Sequence, residues 1–407
     1  MERSVQRVTY VWDADYPWDV RTEKICRALT DAGISVEILA RNVAWAPLTE
    51  VMPEGTVRRM RPWRFLGRGT DRLLSFPAFL NPRWIAHLIH GIRAHRPDVV
   101  IVRDLPLSPT ALWVSRWYGV PVLVDLAENY PAMIRDVWDA GRAGPWDWLL
   151  RNPRLIDAVE RYTLPRVDQV IVVVEESADR VAALGVDAGR ISIVSNTPSR
   201  ERVAEPRSAR PADRPLLLTY LGLMEVPRGI EDVLEAFAQL VAEGRSVELQ
   251  LIGEGRDRAL FERRAADLGL REPQVRFLGA LPNAEALRLV AAADVGLVPH
   301  HAVESWNTTI PNKLFDYMAA GLPVDTSDAI PAARVVRTFG CGLVYRSRDP
   351  VALAAQLRRL FDSTERSTMG EAGRRAVLDR CNWEHDAEVL LRVIRSSVSP
   401  QHVLRSV

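Results

Sequence analysis

Cysteine is scarce in this chain. Cys26, Cys341 and Cys381 are the only three among 407 residues, widely separated and outside any CxxC or Cys/His ligand pattern. That excludes a disulfide framework and a zinc site as organising devices, and fits a reducing cytoplasm. Long apolar runs are also lacking: no stretch of about 18 apolar residues occurs, and the opening MERSVQRVTYVWDADYP has no apolar segment of signal-peptide length. A cytoplasmic protein that is neither exported nor membrane-spanning is therefore expected. An excess of charge is missing too. Lys and Arg number 53 against 52 Asp and Glu, a net charge of +1 that argues against nucleic acid as a partner. No G-x-G-x-x-G follows the first expected strand, where WDADYPWDVRT stands instead, and this weighs against a nicotinamide or flavin enzyme.

Apolar residues make up 47% and charged residues 26%, a globular composition, and the length suits two domains of moderate size. In the first half, residues 8–12, 35–40, 98–102, 120–124, 168–174 and 191–194 read as buried strands, with helices over 22–32, 108–118 and 176–183. Residues 198–215, rich in Arg, Pro, Ala and Glu without apolar periodicity, read as a linker. Strands at 216–221, 248–252, 275–278 and 295–298 then alternate with helices at 230–243, 259–268 and 284–292, and a further helix is expected at 350–362. Such alternation implies an α/β fold with parallel sheets covered on both faces. The expected division is 1–197, a linker over 198–215, a second domain over 216–382 and a terminal helix over 383–407.

Residues 307–328, NTTIPNKLFDYMAAGLPVDTSD, stand out. Pro311 suits a first helical turn, Leu314, Phe315 and Met318 form an apolar stripe at helical spacing, and Gly321 stands where a left-handed cap is expected before a strand at 322–326. Asn307, Thr308, Thr309 and Asn312 form a polar approach to the helix start, where unpaired N–H groups and the helix dipole favour a phosphate or a sugar hydroxyl. Asp316 follows one turn in. By itself the segment is equally an ordinary loop and helix.

Between residues 58 and 96, nine arginines interleave with Trp63, Phe65, Phe76, Phe79 and Trp84 against Asp71 as the only acid. That mixture suits peripheral contact with an anionic membrane, on its inner face for a cytoplasmic protein. The alternative, an acceptor-cleft loop followed by a helix with core aromatics, is favoured by Pro62, Pro77 and Pro82, which break the hydrophobic face.

Residues 216–383 resemble the donor-sugar half of family 4 glycosyltransferases, through LLLTYLG, PRGIEDVLEAF, LQLIGEG, VRFLGAL, AAADVGLVP, PNKLFDYMAAGLPV and the closing NWE. The resemblance implies the GT-B fold, two Rossmann-like domains with parallel sheets facing a central cleft, acceptor in the first and nucleotide sugar in the second, with the last helix crossing back. It implies a retaining, metal-independent enzyme of hexosyltransferase type, moving a sugar from a nucleotide donor to a glycan, lipid-linked or small-molecule acceptor.

On this resemblance the loop 222–229 supplies Gly222 for close backbone approach and Arg228, a catalytic candidate, for the departing diphosphate, with help from Lys313. Gly253 and Leu278 approach base and pyrophosphate through backbone groups. Asp316 takes the place of the ribose-binding glutamate. Eight positions earlier, where the family has a second glutamate, stands Thr308, and Glu304 lies twelve back, able to serve only if the loop bulges. Asn307 and Thr308 would then read the sugar.

On the acceptor side, Glu128 follows Ala127, which stands at the family's histidine position. It would touch an acceptor or donor hydroxyl, or equally serve as a helix-start residue. Trp18 and Arg21 join it by the rule that ligands sit beyond the carboxyl ends of parallel strands. Asp13 and Asp15 read as a polar turn. His300 and His301 are adjacent, point to opposite sides and lack an acid at ligand spacing, so no metal is expected. Ala127, Leu223 and Thr308, three departures from the pattern, also fit a catalytically silent relative acting as a binding or scaffolding subunit.

Overall fold

Runs of branched apolar residues become the strands. VVIVR and VLVDL are buried along their whole length, as expected of parallel strands covered on both faces. The computed structural model describes residues 5–17, 19–63, 69–70, 79–139, 141, 144, 151–205 and 214–398. Contacts divide the chain into two units, one of residues up to Ser195 with those from Asp386 onward, the other Asn196–His385.

Among the described residues the first unit has eight strands: β1 (Arg7–Asp15), β2 (Ser35–Arg41), β3 (Thr49–Met52), β4 (Gly55–Arg59), β5 (Val99–Arg103), β6 (Val122–Leu126), β7 (Gln169–Val172) and β8 (Ile191–Ile193). Their order is β3-β4-β2-β1-β5-β6-β7-β8, parallel except for the β3/β4 hairpin. That hairpin is absent from the sequence reading, since TEVMPEGTVRR is mostly polar and makes an edge rather than a core strand. Trp84, Leu88 and Ile92 of helix Pro82–His95 pack with Val100 and Val102 of β5 in the core.

The second unit has β9 (Leu216–Leu221), β10 (Val247–Ile252), β11 (Val275–Gly279), β12 (Val295–Val298), β13 (Val324–Ser327) and β14 (Gly342–Tyr345). All are parallel, in the order β11-β10-β9-β12-β13-β14. Helix Ile330–Phe339 and β14 were not expected, and helix Pro350–Arg359 stops short of 362. Helix Asn312–Ala319 has Pro311 as its cap rather than in its first turn, and Gly321 adopts φ 67°. No helix among the described residues is long and apolar enough to cross a membrane.

Of the run's described arginines, Arg58 and Arg59 are used internally, while Arg61, Arg93 and Arg96 are exposed. Arg58 pairs with Glu37 at 2.8 Å, Arg59 is buried and reaches Glu50 and the carbonyls of Tyr16 and Pro47, and Trp84 is core. Arg64, Phe65, Arg68, Asp71, Arg72, Phe76 and Pro77 lie outside the described residues.

Candidate active site

The second sheet places β9 beside β12, so the chain leaves these neighbours in opposite directions along the sheet. Loops that diverge from adjacent strands leave a crevice beyond the carboxyl ends. β12 pairs with β9 only at Leu218 and Thr219, so Tyr220 and Leu221 have already parted from it. Tyr317 fills the gap: its hydroxyl accepts from Leu221 N at 2.8 Å, and its ring occupies the space that a side chain at Gly296 would need.

The loop after β9 begins at Gly222, φ 138°, where a Cβ would lie 2.9 Å from Lys313 Nζ. It ends at Gly229, φ 69°, where a Cβ would strike the Pro299 carbonyl oxygen at 1.9 Å. Only glycine permits both the backbone angles and these approaches. Gly253 packs its own backbone against the Gly222 carbonyl.

Three basic side chains meet here. Lys313 is 6% exposed, its Nζ lies 3.8 Å from the centre of the Tyr220 ring, and it has no hydrogen-bond partner. Burial, reinforced by the Arg228 charge and opposed by Asp316, pushes its pKa well below the lysine range. The Arg228 guanidinium lies 5.2 Å over the Trp306 ring, its Nε is buried without a hydrogen bond, and Glu225 stands 3.6 Å away. His300 packs edge-on against Trp306 at 4.2 Å with both ring nitrogens unpartnered. Burial, with Lys313 and Arg228 nearby, lowers its pKa well below the usual histidine value. His301 turns the other way, with Nε2 3.3 Å from Asp232 Oδ2, so the pair does have an acidic neighbour.

Of the other expected donor-side residues, Asp316 is partly exposed and lines a hollow with Leu287, Val290 and Ala291. Leu278 is half-buried on β11, while Asn312 and Glu304 are exposed and Thr309 is buried. Asn307 and Thr308 turn towards their own backbone: Asn307 Oδ1 accepts from Ile330 N at 3.1 Å, and the Thr308 hydroxyl donates to the Glu304 carbonyl at 3.0 Å. Each thus has one bond to backbone, and the sugar-reading role expected of them would rest on the Asn307 amide donors and the Thr308 oxygen lone pairs.

In the first unit the corresponding reversal lies between β1 and β5. Arg21 Nε donates to both Asp125 oxygens at 3.0 and 3.1 Å, its Nη1 donates to the Val194 carbonyl at 2.9 Å, and the Tyr10 hydroxyl donates to Asp125 at 3.0 Å. Arg103 joins through Asp104 at 3.0 Å and Asp19 at 3.4 Å. Desolvation would raise the Asp125 pKa, but Arg21 and Arg103 outweigh it and hold the carboxylate below its usual range. Arg21 is thus an internal strut, not an open acceptor-side group.

β1 continues to Asp15, so the expected polar turn is strand: Asp13 pairs with Arg41, and Asp15 accepts from Val43 N and Ala44 N, each at 2.8 Å. Burial raises the Asp13 pKa to about 6 against the pull of Arg41. Glu128 is exposed just beyond β6, and the cap of the following helix is supplied by Asn129, which accepts from Ala132 N at 3.2 Å. Trp18 lies outside the described residues. Among the described residues, no three His, Cys, Asp or Glu side chains are grouped to hold a metal ion.

Residues 19–197 match the glycosyl transferase 4-like domain, and residues 215–363 match glycosyl transferases group 1. The chain is a family 4 glycosyltransferase. As such it is a retaining enzyme that uses a nucleotide-sugar donor. This family 4 chain is 26% identical over 317 residues to glycogen synthase of Mycobacterium tuberculosis, covering 76% of this chain and 72% of that one. It is 27% identical over 391 residues to 2-deoxystreptamine glucosyltransferase of Streptomyces kanamyceticus, covering 91% and 97%. Among solved structures, sucrose-phosphate synthase from Thermosynechococcus elongatus shares the fold with a TM-score of 0.78 at 19% identity, covering 96% and 98%. Anabaena Alr3699/HepE, solved with UDP, does so with 0.70 at 13%, covering 96% and 100%. These likenesses establish the GT-B fold.

His300, Trp306 and Tyr317 line the same crevice and were not assigned to it by the sequence reading. The available signal was local: PHH at the end of a strand and a tryptophan shortly before PNKLFD.

Proposed function

We propose that the crevice of the second unit holds the diphosphate of a hexose nucleotide between Arg228 and Lys313, with the ribose hydroxyls on Asp316 and the base near Leu278 and Gly253. One observation carries this reading: the Lys313 side chain is buried against the Gly222 backbone with no hydrogen-bond partner. A buried cation is costly until an anion joins it. The diphosphate gains negative charge as the sugar–phosphate bond breaks, so fixed cations stabilise the transition state more than the bound donor. The acceptor hydroxyl attacks on the same face of the sugar, its proton passing to the departing phosphate, and Glu128 contacts the acceptor. Arg228 and Lys313 supply the charge that a divalent ion would otherwise bring, so turnover is metal-independent and persists in a chelator.

In this proposal the first unit binds the acceptor and the second the donor, in the cytoplasm, with no nucleic-acid partner. Relatives named for transfer to glycogen, to 2-deoxystreptamine and to phosphatidyl-myo-inositol mark out the acceptor classes, namely glycan, small molecule and lipid. Calorimetry with free nucleoside diphosphates tests the site. Asp316→Ala is expected to lose about tenfold to a hundredfold in affinity, the worth of a charge-assisted hydrogen bond. Normal binding by that variant would remove Asp316 from the ribose site.

A further inference from the structure

Three helices of the first unit, Pro82–His95, Ser108–Tyr118 and Pro153–Thr163, are linked across an outer face. Arg93 Nε donates to the Tyr118 hydroxyl at 2.9 Å, and Arg116 reaches the Arg166 carbonyl, just past the third helix, at 3.4 Å. The middle of this face is aromatic. Trp113 and Trp117, one turn apart, stack at 5.2 Å with 29° between their planes, yet they are 50% and 71% exposed. Tyr162 is 57% exposed and carries the Arg166 guanidinium 4.3 Å over its ring, as Arg93 stands 5.9 Å from Tyr118. The core closes beneath on Leu112, Val114 and Ala111, so the indoles contribute little to it.

Among the described residues, these three helices carry no carboxylate without a basic partner. The first two helices contain no Asp or Glu, and on the third Asp157 and Glu160 are held by Arg135 at 2.6 Å and Arg180 at 2.8 Å. In a chain of net charge +1 this is a local concentration of cations.

We propose that this face docks the enzyme on an anionic lipid bilayer. Trp113 and Trp117 enter the headgroup boundary, while Arg93, Arg116 and Arg166 meet lipid phosphates. Lipid is favoured because the charge offered is of one sign: Arg93, Arg116 and Arg166 stand beside the exposed indoles, and the only carboxylates on these helices are already paired, which complements a bed of phosphates. The surface shares Arg93 with the arginine run at 58–96 but lies mainly on later elements. The inference is independent of where the donor binds.

Flotation with vesicles of phosphatidylglycerol and phosphatidylcholine, against phosphatidylcholine alone, tests it. The full chain is expected to float with the anionic vesicles at low salt and to detach at about 1 M salt, where charges are screened beyond about 3 Å. Removing one arginine, as in Arg116→Ser, is expected to weaken binding about fivefold. The double variant Trp113→Ser/Trp117→Ser is expected to lose about tenfold or more while keeping its melting temperature and its slow donor hydrolysis in solution. Failure of the wild type to float, or unchanged flotation of the double variant, would overturn the proposal. So would a concentration-dependent dimer abolished by the same double variant, which would assign the face to a second copy.

Discussion

The two sheets each reverse direction once, and the polar groups gathered at the two reversals are arranged in opposite ways. In the first unit Arg21 and Arg103 each find a carboxylate among Asp125, Asp104 and Asp19, although one Arg103 nitrogen is left without a hydrogen bond. In the second, Lys313 and His300 lie buried with no partner, and Arg228 keeps one nitrogen unbonded. Equal burial therefore does not mean equal role. A paired cluster is part of the fold, and buried bases left without partners at a crevice are a place for an anion.

The comparison is broken most directly at Asp125. Asp125→Ala leaves Arg21 buried without its anion, and about 3–5 kcal/mol of stability should be lost in denaturant titration. A variant as stable as the wild type would return Arg21 and Asp125 to the list of ligand groups. Arg228→Ala is the mirror experiment: turnover should fall about a hundredfold, near 2.7 kcal/mol of transition-state stabilisation, with the midpoint of unfolding unchanged. A large loss of stability instead would place Arg228 among the struts.

Lys313→Met separates the two roles within one residue. It should weaken nucleoside diphosphate binding about tenfold or more in calorimetry while raising the melting temperature of the free protein, since an unpaired buried ammonium is replaced by an apolar chain. The pH dependence follows from sign. The folded-state pKa of Lys313 is lowered, so below the ordinary lysine range the unfolded chain binds more protons and stability rises with pH. The Lys313→Met variant should show a shallower rise, as judged by melting temperature across pH.

Asp325 sharpens the rule. On β13 both its oxygens are buried without a partner, and burial raises its pKa well above the carboxylate range. The folded state thus keeps a proton that the unfolded chain releases, and stability falls as pH rises past the ordinary carboxylate pKa. Asp325→Val should gain about 1–2 kcal/mol and flatten that part of the curve, as judged by melting temperature across pH. The smallest effect is expected at Thr308: its hydroxyl proton is spent on the Glu304 carbonyl, and Thr308→Ala should leave calorimetric affinity for the free nucleotide within a factor of about two.

Much of the scaffold was legible because burial on both sides of a sheet leaves continuous apolar runs. The expected bounds of helix Ser108–Tyr118, β9 and β12 coincide with those observed. Elements at the margins were not legible: β3 and β4 are polar, and β14 is the edge strand of the second sheet. Gly222, Arg228 and Lys313 could be picked out because a motif fixes their spacing. The difference between Arg21 and Arg228 could not be picked out. One carboxylate decides it, and Asp125 lies 104 positions from Arg21. Whether a buried base has a partner is a property of the packed molecule, and so His300 passed as one half of a histidine pair.

The Tyr317 hydroxyl at the end of β9 has a consequence for how the crevice ages. Where two strands splay, an amide normally faces water and exchanges its hydrogen freely, and the loops beyond drift with it. Here a phenol takes that amide, so Leu221 should exchange as slowly as a residue inside the ladder although β12 no longer pairs with it on that side. The same helix carries Lys313 one turn earlier. Sequence drift in either loop can then proceed without moving the ammonium relative to Gly222, because the distance is set by one side chain bridging helix and strand. Tyr317→Phe would loosen that tether, and divergence in donor preference should be easier to select in its background.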